Sequence, residues 1–159
     1  MNHQIDIERR KALKTGCSIG LLGLLAAVGL LQPGMVSAKD EKSAFEAKTL
    51  GEALDALGVV IPESNAAVHL TVPEIAENGA VVPVTVSSSM ANTEQIFILV
   101  EKNPNVLAAS FTFPEGTESF ATTRVKMRET SPVIALVKAN GKFYRATREV
   151  KVTAGGCGG

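Results

Sequence analysis

The sequence predicts a mainly-β antiparallel sandwich of about seven strands, entered through a short helical segment and ended by a flexible glycine tail. Three observations carry that prediction. From residue 68 onward apolar residues recur with a period of two in short runs, whereas over 43–57 they recur at helical spacing. Turn dipeptides, Asn78-Gly79 and Asn140-Gly141 among them, separate the runs. The chain then stops at Gly155-Gly156-Cys157-Gly158-Gly159, where residues without a Cβ leave the backbone free to range over conformations closed to other side chains.

The first segment reads as an export signal. Arg9, Arg10, Lys11 and Lys14 precede an apolar stretch over 17–31, which gives way to Gln32-Pro33-Gly34 and the small-residue pattern Val36-Ser37-Ala38. An apolar run of about 15 residues is short for a bilayer span. Arg9 and Arg10 resemble the twin-arginine (Tat) signal, with Ala12 where an aromatic residue usually stands. A membrane anchor is the alternative, opposed by Pro33 and the small residues after it. Cys17 stands at the head of the apolar run, not after it, with Lys14 three residues before, which does not suit a lipoprotein. The expectation is a signal over 1–38, cleavage after Ala38, a soluble periplasmic body over 39–153 and a mobile arm over 154–159.

Within the body, Leu50, Ala53, Leu54 and Leu57 make the apolar stripe of one amphipathic helix or two short ones over 43–57. Ser43 with Glu46, or Thr49 with Glu52, suits a capping box, and Gly58 suits a C-terminal cap. The stripe is expected to pack on the domain's own core. Strands are expected over 68–72, 80–87, 95–101, 107–113, 120–127, 133–138 and 142–153, a set with no helical interruption. Asn78-Gly79 and Asn140-Gly141 are expected to take positive φ in tight hairpins, while Asn103-Pro104-Asn105 and Pro114-Glu115-Gly116 mark looser turns. Pro83 and Pro132 each lack a ladder donor and so belong at an edge, a bulge or a strand start. In the last strand Tyr144, Ala146, Val150 and Val152 share a parity; Arg148 shares it too, which calls for a bulge, a partner contact or a snorkelling side chain. The stretches 96–100 and 133–137 are apolar on both parities, so both faces must be covered, by the helix or by another subunit.

Charge and cysteine usage narrow the function. The chain carries 16 basic and 16 acidic residues, and loss of 1–38 leaves it about two charges acidic, with no electrostatic footprint for nucleic acid. Cys17 leaves with the signal, so Cys157 is the lone thiol in an oxidising compartment and has no internal disulfide partner. A catalytic thiol needs a fixed base, cation or helix N-terminus, and a glycine tail fixes none of these. Cys157 therefore reads as a covalent handle on an arm made of Gly155, Gly156, Gly158 and Gly159. Elsewhere the sequence shows no haem-attachment motif, no metal-spaced cluster of His and carboxylates and no nucleotide loop, so neither a catalytic residue, a metal nor a cofactor is expected. His69 alternates with Val68, Leu70 and Val72 and reads as a strand-surface or core histidine.

Several segments resemble a known family. Pro73-Glu74-Ile75-Ala76-Glu77-Asn78-Gly79 followed by Val82-Pro83-Val84, then Val100-Glu101-Lys102-Asn103-Pro104, Val125-Lys126-Met127-Arg128 and Val150-Lys151-Val152-Thr153 with the Gly-Gly-Cys-Gly-Gly end, are similar to SoxY, the sulfur-carrier family of the periplasmic thiosulfate-oxidising Sox system. The resemblance runs from about residue 46 to residue 159; Val106 departs from it, where a second proline is expected. It implies an immunoglobulin-like carrier that pairs with a SoxZ-like subunit and bears sulfur intermediates on Cys157, beginning with a cysteine S-thiosulfonate. It also implies transient contacts with a haem cytochrome, a sulfate thiohydrolase and a sulfane dehydrogenase, and no membrane contact in the exported form. The residues leave other classes open: a periplasmic thiol enzyme using Cys157, a disulfide tether through it, and a ubiquitin-like carrier with sulfur on the Gly159 carboxylate. The partner interface is expected on the doubly apolar strands.

Overall fold

The computed structural model describes residues 38–153, in which two helices, α1 (Ala38–Glu46) and α2 (Leu50–Ala56), precede nine strands. Thr49 and Glu52 form the capping box that starts α2: the Glu52 amide donates to Thr49 Oγ1 at 3.2 Å, and Glu52 Oε2 accepts from the Thr49 amide at 3.2 Å and the Lys48 amide at 2.8 Å. Such a cap satisfies amides that a helix start leaves without partners, worth about 1 kcal/mol. Ser43 and Glu46 lie within α1 and do not start a helix. Past α2, Gly58 at φ 70° reverses the chain as a C-terminal cap does.

The strands are β1 (Glu63–Ser64), β2 (Val68–Thr71), β3 (Ile75–Ala76), β4 (Val82–Ser88), β5 (Thr93–Val100), β6 (Leu107–Thr112), β7 (Phe120–Val125), β8 (Ser131–Ala139) and β9 (Lys142–Val152). One sheet runs in the order β1-β9-β8-β5-β6, with β3 also on β9; the other is β2-β4-β7. All seven expected strands are present. The antiparallel expectation fails at one edge, where β1 and β3 pair parallel to β9, Glu63 opposite Tyr144 and Ile75 opposite Lys151. Two-residue strands are too short to show a period, so the pattern of apolar residues held no trace of them.

Strands β5 and β8 explain the double apolar pattern. Ile96, Ile98, Val100, Val133, Ala135 and Val137 turn one way into a core shared with Val82, Val84 and Val86 of the smaller sheet. Phe97, Leu99, Ile134 and Leu136 turn the other way into a second core, roofed by Ala44, Ala47 and Ala53 with Leu50, Leu54 and Leu57 packed against it. The chain's own helices and second sheet thus cover both faces, and the expected partner interface on these strands is overturned because each of these strand residues is at most 5% exposed.

Three local expectations change or sharpen. Asn140-Gly141 closes the β8–β9 hairpin with φ of 51° and 70°, as expected. Asn78-Gly79 does not take positive φ; the Asn78 side chain instead closes an Asx turn, Oδ1 accepting from the Ala80 amide at 2.8 Å. Opposite Arg148 the β8–β9 register is unbroken, so no bulge forms, and the exposed side chain lines a shallow cleft with residues 70–74 and Glu149. Pro83 stands where β4 is flanked by β7 alone, and Pro132 is second in β8, ahead of its pairing with β5.

The end of the larger sheet that carries the Asn140-Gly141 hairpin is held by Glu94. Its Oε1 accepts from the Gly141 amide at 2.8 Å and its Oε2 pairs with Lys138 Nζ at 3.1 Å. The Gly141 amide above all holds the carboxyl below its ordinary range; burial opposes it, and Lys138 adds to the lowering. A lowered carboxylate contributes stability that is present above the unfolded value of about 4.3 and is lost as the pH falls through the folded one. Glu94→Ala is therefore expected to cost about 0.5–1 kcal/mol at pH 7, discounted for its exposure, with the difference closing in acid. Urea unfolding of both chains at neutral pH and near pH 3 checks this.

Candidate functional site

The last strand ends at a built anchor. Val150 is fully buried and is the last residue of β9 to face β8, opposite Ser131. Beyond it three successive amides are each satisfied, on alternate sides as a strand requires. Lys151 donates to Glu74 O at 2.9 Å, Val152 to Thr130 Oγ1 at 3.0 Å, and Thr153 to Ala76 O at 3.1 Å. Thr153 Oγ1 adds a long bond of 3.5 Å to Glu77 O. The Pro73–Gly79 segment, which carried part of the family resemblance, thus straps the outer edge of β9, and Thr130 stands in where β8 no longer reaches.

The loops beside the anchor are clamped by two asparagines. Asn103 Nδ2 donates to Lys126 O at 2.6 Å and its Oδ1 accepts from the Arg128 amide at 3.3 Å. Asn105 Nδ2 donates to Phe45 O at 2.9 Å, and its Oδ1 accepts from Lys48 Nζ at 2.6 Å. Between Lys126 and Arg128 the Met127 side chain is fully buried, and its amide donates to Gly79 O at 2.6 Å. The Asn103-Pro104-Asn105 turn is therefore a structural hub that ties α1, the β7–β8 loop and the anchor strap together. Ser131, 1% exposed, joins it by accepting from the Lys102 amide at 3.0 Å and donating to Pro132 O at 3.0 Å.

Of the residues singled out from sequence, Cys157, Gly155, Gly156, Gly158 and Gly159 of the arm and Arg9 and Arg10 of the signal lie outside the described residues. The anchor and the strap lie inside them. His69 is exposed on β2, opposite Ser87, and among the described residues no three His, Cys, Asp or Glu side chains come together as metal ligands would. Sequence reasoning missed Thr130 and the clamping roles of Asn103 and Asn105. A polar residue in a loop carries no periodic signal, so only the fold shows what it bonds.

Comparison with known proteins points one way. A family model described as sulfur oxidation protein SoxY matches residues 54–157. The solved structure of the sulfur carrier protein SoxY from Chlorobium limicola f thiosulfatophilum is 38% identical, over 67% of this chain and 97% of that one, with a TM-score of 0.61. A superoxide reductase (neelaredoxin) from Ignicoccus hospitalis is 20% identical over 54% of this chain and 80% of that one; its TM-score of 0.46 is too slight a likeness to bear on function. No curated protein matches the chain.

If Thr130 Oγ1 pins the base of the arm, Thr130→Val leaves the Val152 amide without its acceptor. Hydrogen exchange at Val152 is expected to quicken about fivefold, the worth of one net hydrogen bond. Exchange at Val133 and Val137 in the core ladder is expected to stay unchanged in the same spectrum.

Proposed function

This chain belongs to the SoxY family and is a carrier of sulfur intermediates in the Sox system, and from that premise we propose that the cargo is bound covalently to the thiol of Cys157. The observation that supports this most directly is the anchor: the backbone is hydrogen-bonded up to Thr153, four residues before the lone tail thiol. At about 3.5 Å per residue the thiol then reaches at most ~14 Å beyond the last anchored residue. A body that holds its own end rigid and then releases a short glycine thread presents a nucleophile at a defined radius. Gly155, Gly156, Gly158 and Gly159 let the thread enter a channel too narrow for side chains, at a cost of about 1–2 kcal/mol for each residue fixed.

The first conjugate is a cysteine S-thiosulfonate. Joining the Cys157 thiol to the sulfane sulfur of thiosulfate makes one S–S bond and releases one proton and two electrons, which the haem cytochrome partner accepts. The carrier is not the catalyst; hydrolysis of the terminal sulfonate and oxidation of the remaining sulfane fall to the thiohydrolase and dehydrogenase partners. In this reading the two-sheet body is an immunoglobulin-like scaffold, residues 1–38 direct it to the periplasm through the Tat route, and a SoxZ-like subunit pairs with it. Val60, Ile61 and Ile75, exposed beside β1 and β3, are apolar surface suited to that subunit.

Intact-mass spectrometry of the protein from the periplasm of thiosulfate-grown cells tests the assignment. Sulfur and sulfonate masses that localise to Cys157, disappear with reductant and are absent from Cys157→Ser are expected. A bare thiol or disulfide dimer alone points to a tether, and modification of the Gly159 carboxylate points to thiocarboxylate chemistry; either outcome overturns the proposal. A second measurement addresses the thread. Gly156→Val with Gly158→Val is expected to slow cargo transfer at least tenfold while leaving the unfolding midpoint unchanged, because both positions lie beyond the last anchored residue.

A further inference from the structure

We propose that Asn78 is a site of spontaneous covalent modification: its side chain closes on the Gly79 amide to a succinimide, which opens to aspartate and isoaspartate and loosens the strap that holds the end of β9. The site lies in the body and does not depend on what the arm carries. The Gly79 nitrogen, once its proton is lost to solvent base, attacks Asn78 Cγ; an N–C bond forms, the Cγ–Nδ2 bond breaks and ammonia leaves. Water then opens the ring at either carbonyl, so the net change is water in and ammonia out. One opening gives aspartate. The other routes the main chain through Cβ and Cγ as isoaspartate, one methylene longer.

Asn78-Gly79 and Asn140-Gly141 are the same dipeptide, and the fold treats them oppositely. Asn78 is exposed, and its Oδ1 accepts from the Ala80 amide at 2.8 Å. That bond folds the side chain back over the intervening Gly79 peptide and draws electron density from Cγ. The same donor faces the negative oxygen of the tetrahedral intermediate. Among the described residues neither the Gly79 amide nor Asn78 Nδ2 donates to any group, so nucleophile and leaving group are both free. Gly79 itself is buried, so base reaches its amide when the loop lifts, and conversion is slower than in an unfolded chain. At the other pair each of these atoms is engaged. The Gly141 amide donates to Glu94 Oε1 at 2.8 Å, and a carboxylate beside it opposes loss of its proton. Asn140 Nδ2 donates to Ala91 O at 3.2 Å, and its Oδ1 accepts from Asn92 Nδ2 at 2.9 Å. The other described asparagines, Asn65, Asn92, Asn103 and Asn105, precede residues whose Cβ hinders the attack.

Asn78 stands between two grips of the strap. Ala76 O takes the Thr153 amide at 3.1 Å, and Gly79 O takes the Met127 amide at 2.6 Å. Met127 is fully buried and cannot follow a shift, whereas Thr153 is exposed. An extra methylene at 78 changes the spacing between those two carbonyls, so the isoaspartyl chain releases the grip on Thr153.

The test ages the protein purified from cells, with reductant present, in mildly alkaline water labelled with heavy oxygen. Each conversion trades an amide for a carboxyl that carries one labelled oxygen, and peptide fragmentation assigns the residue and separates aspartate from isoaspartate. Conversion at Asn78 is expected to run at least about tenfold ahead of Asn140, the margin that one hydrogen bond to a charged group supplies. In urea, where the fold no longer sets them apart, the two are expected to keep pace. Glu94→Ala is expected to bring Asn140 into play, with exchange at Val133 unchanged as the sign that the core is intact. In the aged chain the Thr153 amide is expected to exchange about fivefold faster, the worth of one net hydrogen bond. Asn78→Asp, which adds the charge without lengthening the main chain, is expected to leave Thr153 as it was. Equal rates at Asn78 and Asn140 in the folded chain, or no label at either well after the unfolded chain is fully converted, would overturn the site. An aged chain whose Thr153 amide exchanges as before would overturn its effect on the strap.

Discussion

Two neighbouring strands without a polar face, β5 and β8, impose the constraint that organises the rest of the body. Each buries its even and odd residues in different cores, so neither face can be left to water. At about 1.5–3 kcal/mol for each large aliphatic side chain taken fully out of water, exposing either face would exceed the stability of an ordinary domain. One face is met by the smaller sheet and the other by the pair of short helices. Those helices are too short to persist alone, and they are held by the face they cover.

From that centre, order passes outward to the end of β9 through β8. The β8–β9 register runs without interruption from Lys142 to Val150, and the anchor takes over where β8 ends. Charge is distributed differently at the two ends of the larger sheet. At the Asn140-Gly141 hairpin Glu94 neutralises Lys138 and caps the turn; beside the arm, asparagine side chains do the tying and leave the nearby cations unpaired.

Much of this was legible beforehand because it rests on period and punctuation. The seven longer strands, the Asn140-Gly141 turn, the Gly58 cap and the apolar stripe of Leu50, Ala53, Leu54 and Leu57 all follow from residue type at a spacing. What escaped notice depends on contacts between distant positions. Whether 96–100 was covered by a helix or by a neighbour was open because periodicity reports that a face is buried and not what buries it. Asn78-Gly79 misled because its dipeptide suits two turns, and the side-chain bond to the Ala80 amide selects the other one. The expected handle rests on five residues outside the described ones, whereas Thr130, Asn103 and Asn105, which hold the end of β9 and the loops beside it, are single polar residues in loops.

The double strapping of β9 has a mechanical consequence. A force applied at Thr153 along the axis of β9 runs along its neighbours β8, β1 and β3. Load in that direction is shear, which stretches the whole set of ladder bonds together, whereas a pull across the sheet would open them one at a time like a zip. With β3 and Thr130 bonded at the point where force enters, the strand is also braced against peeling from its end. The end of β9 is therefore braced against unravelling under load.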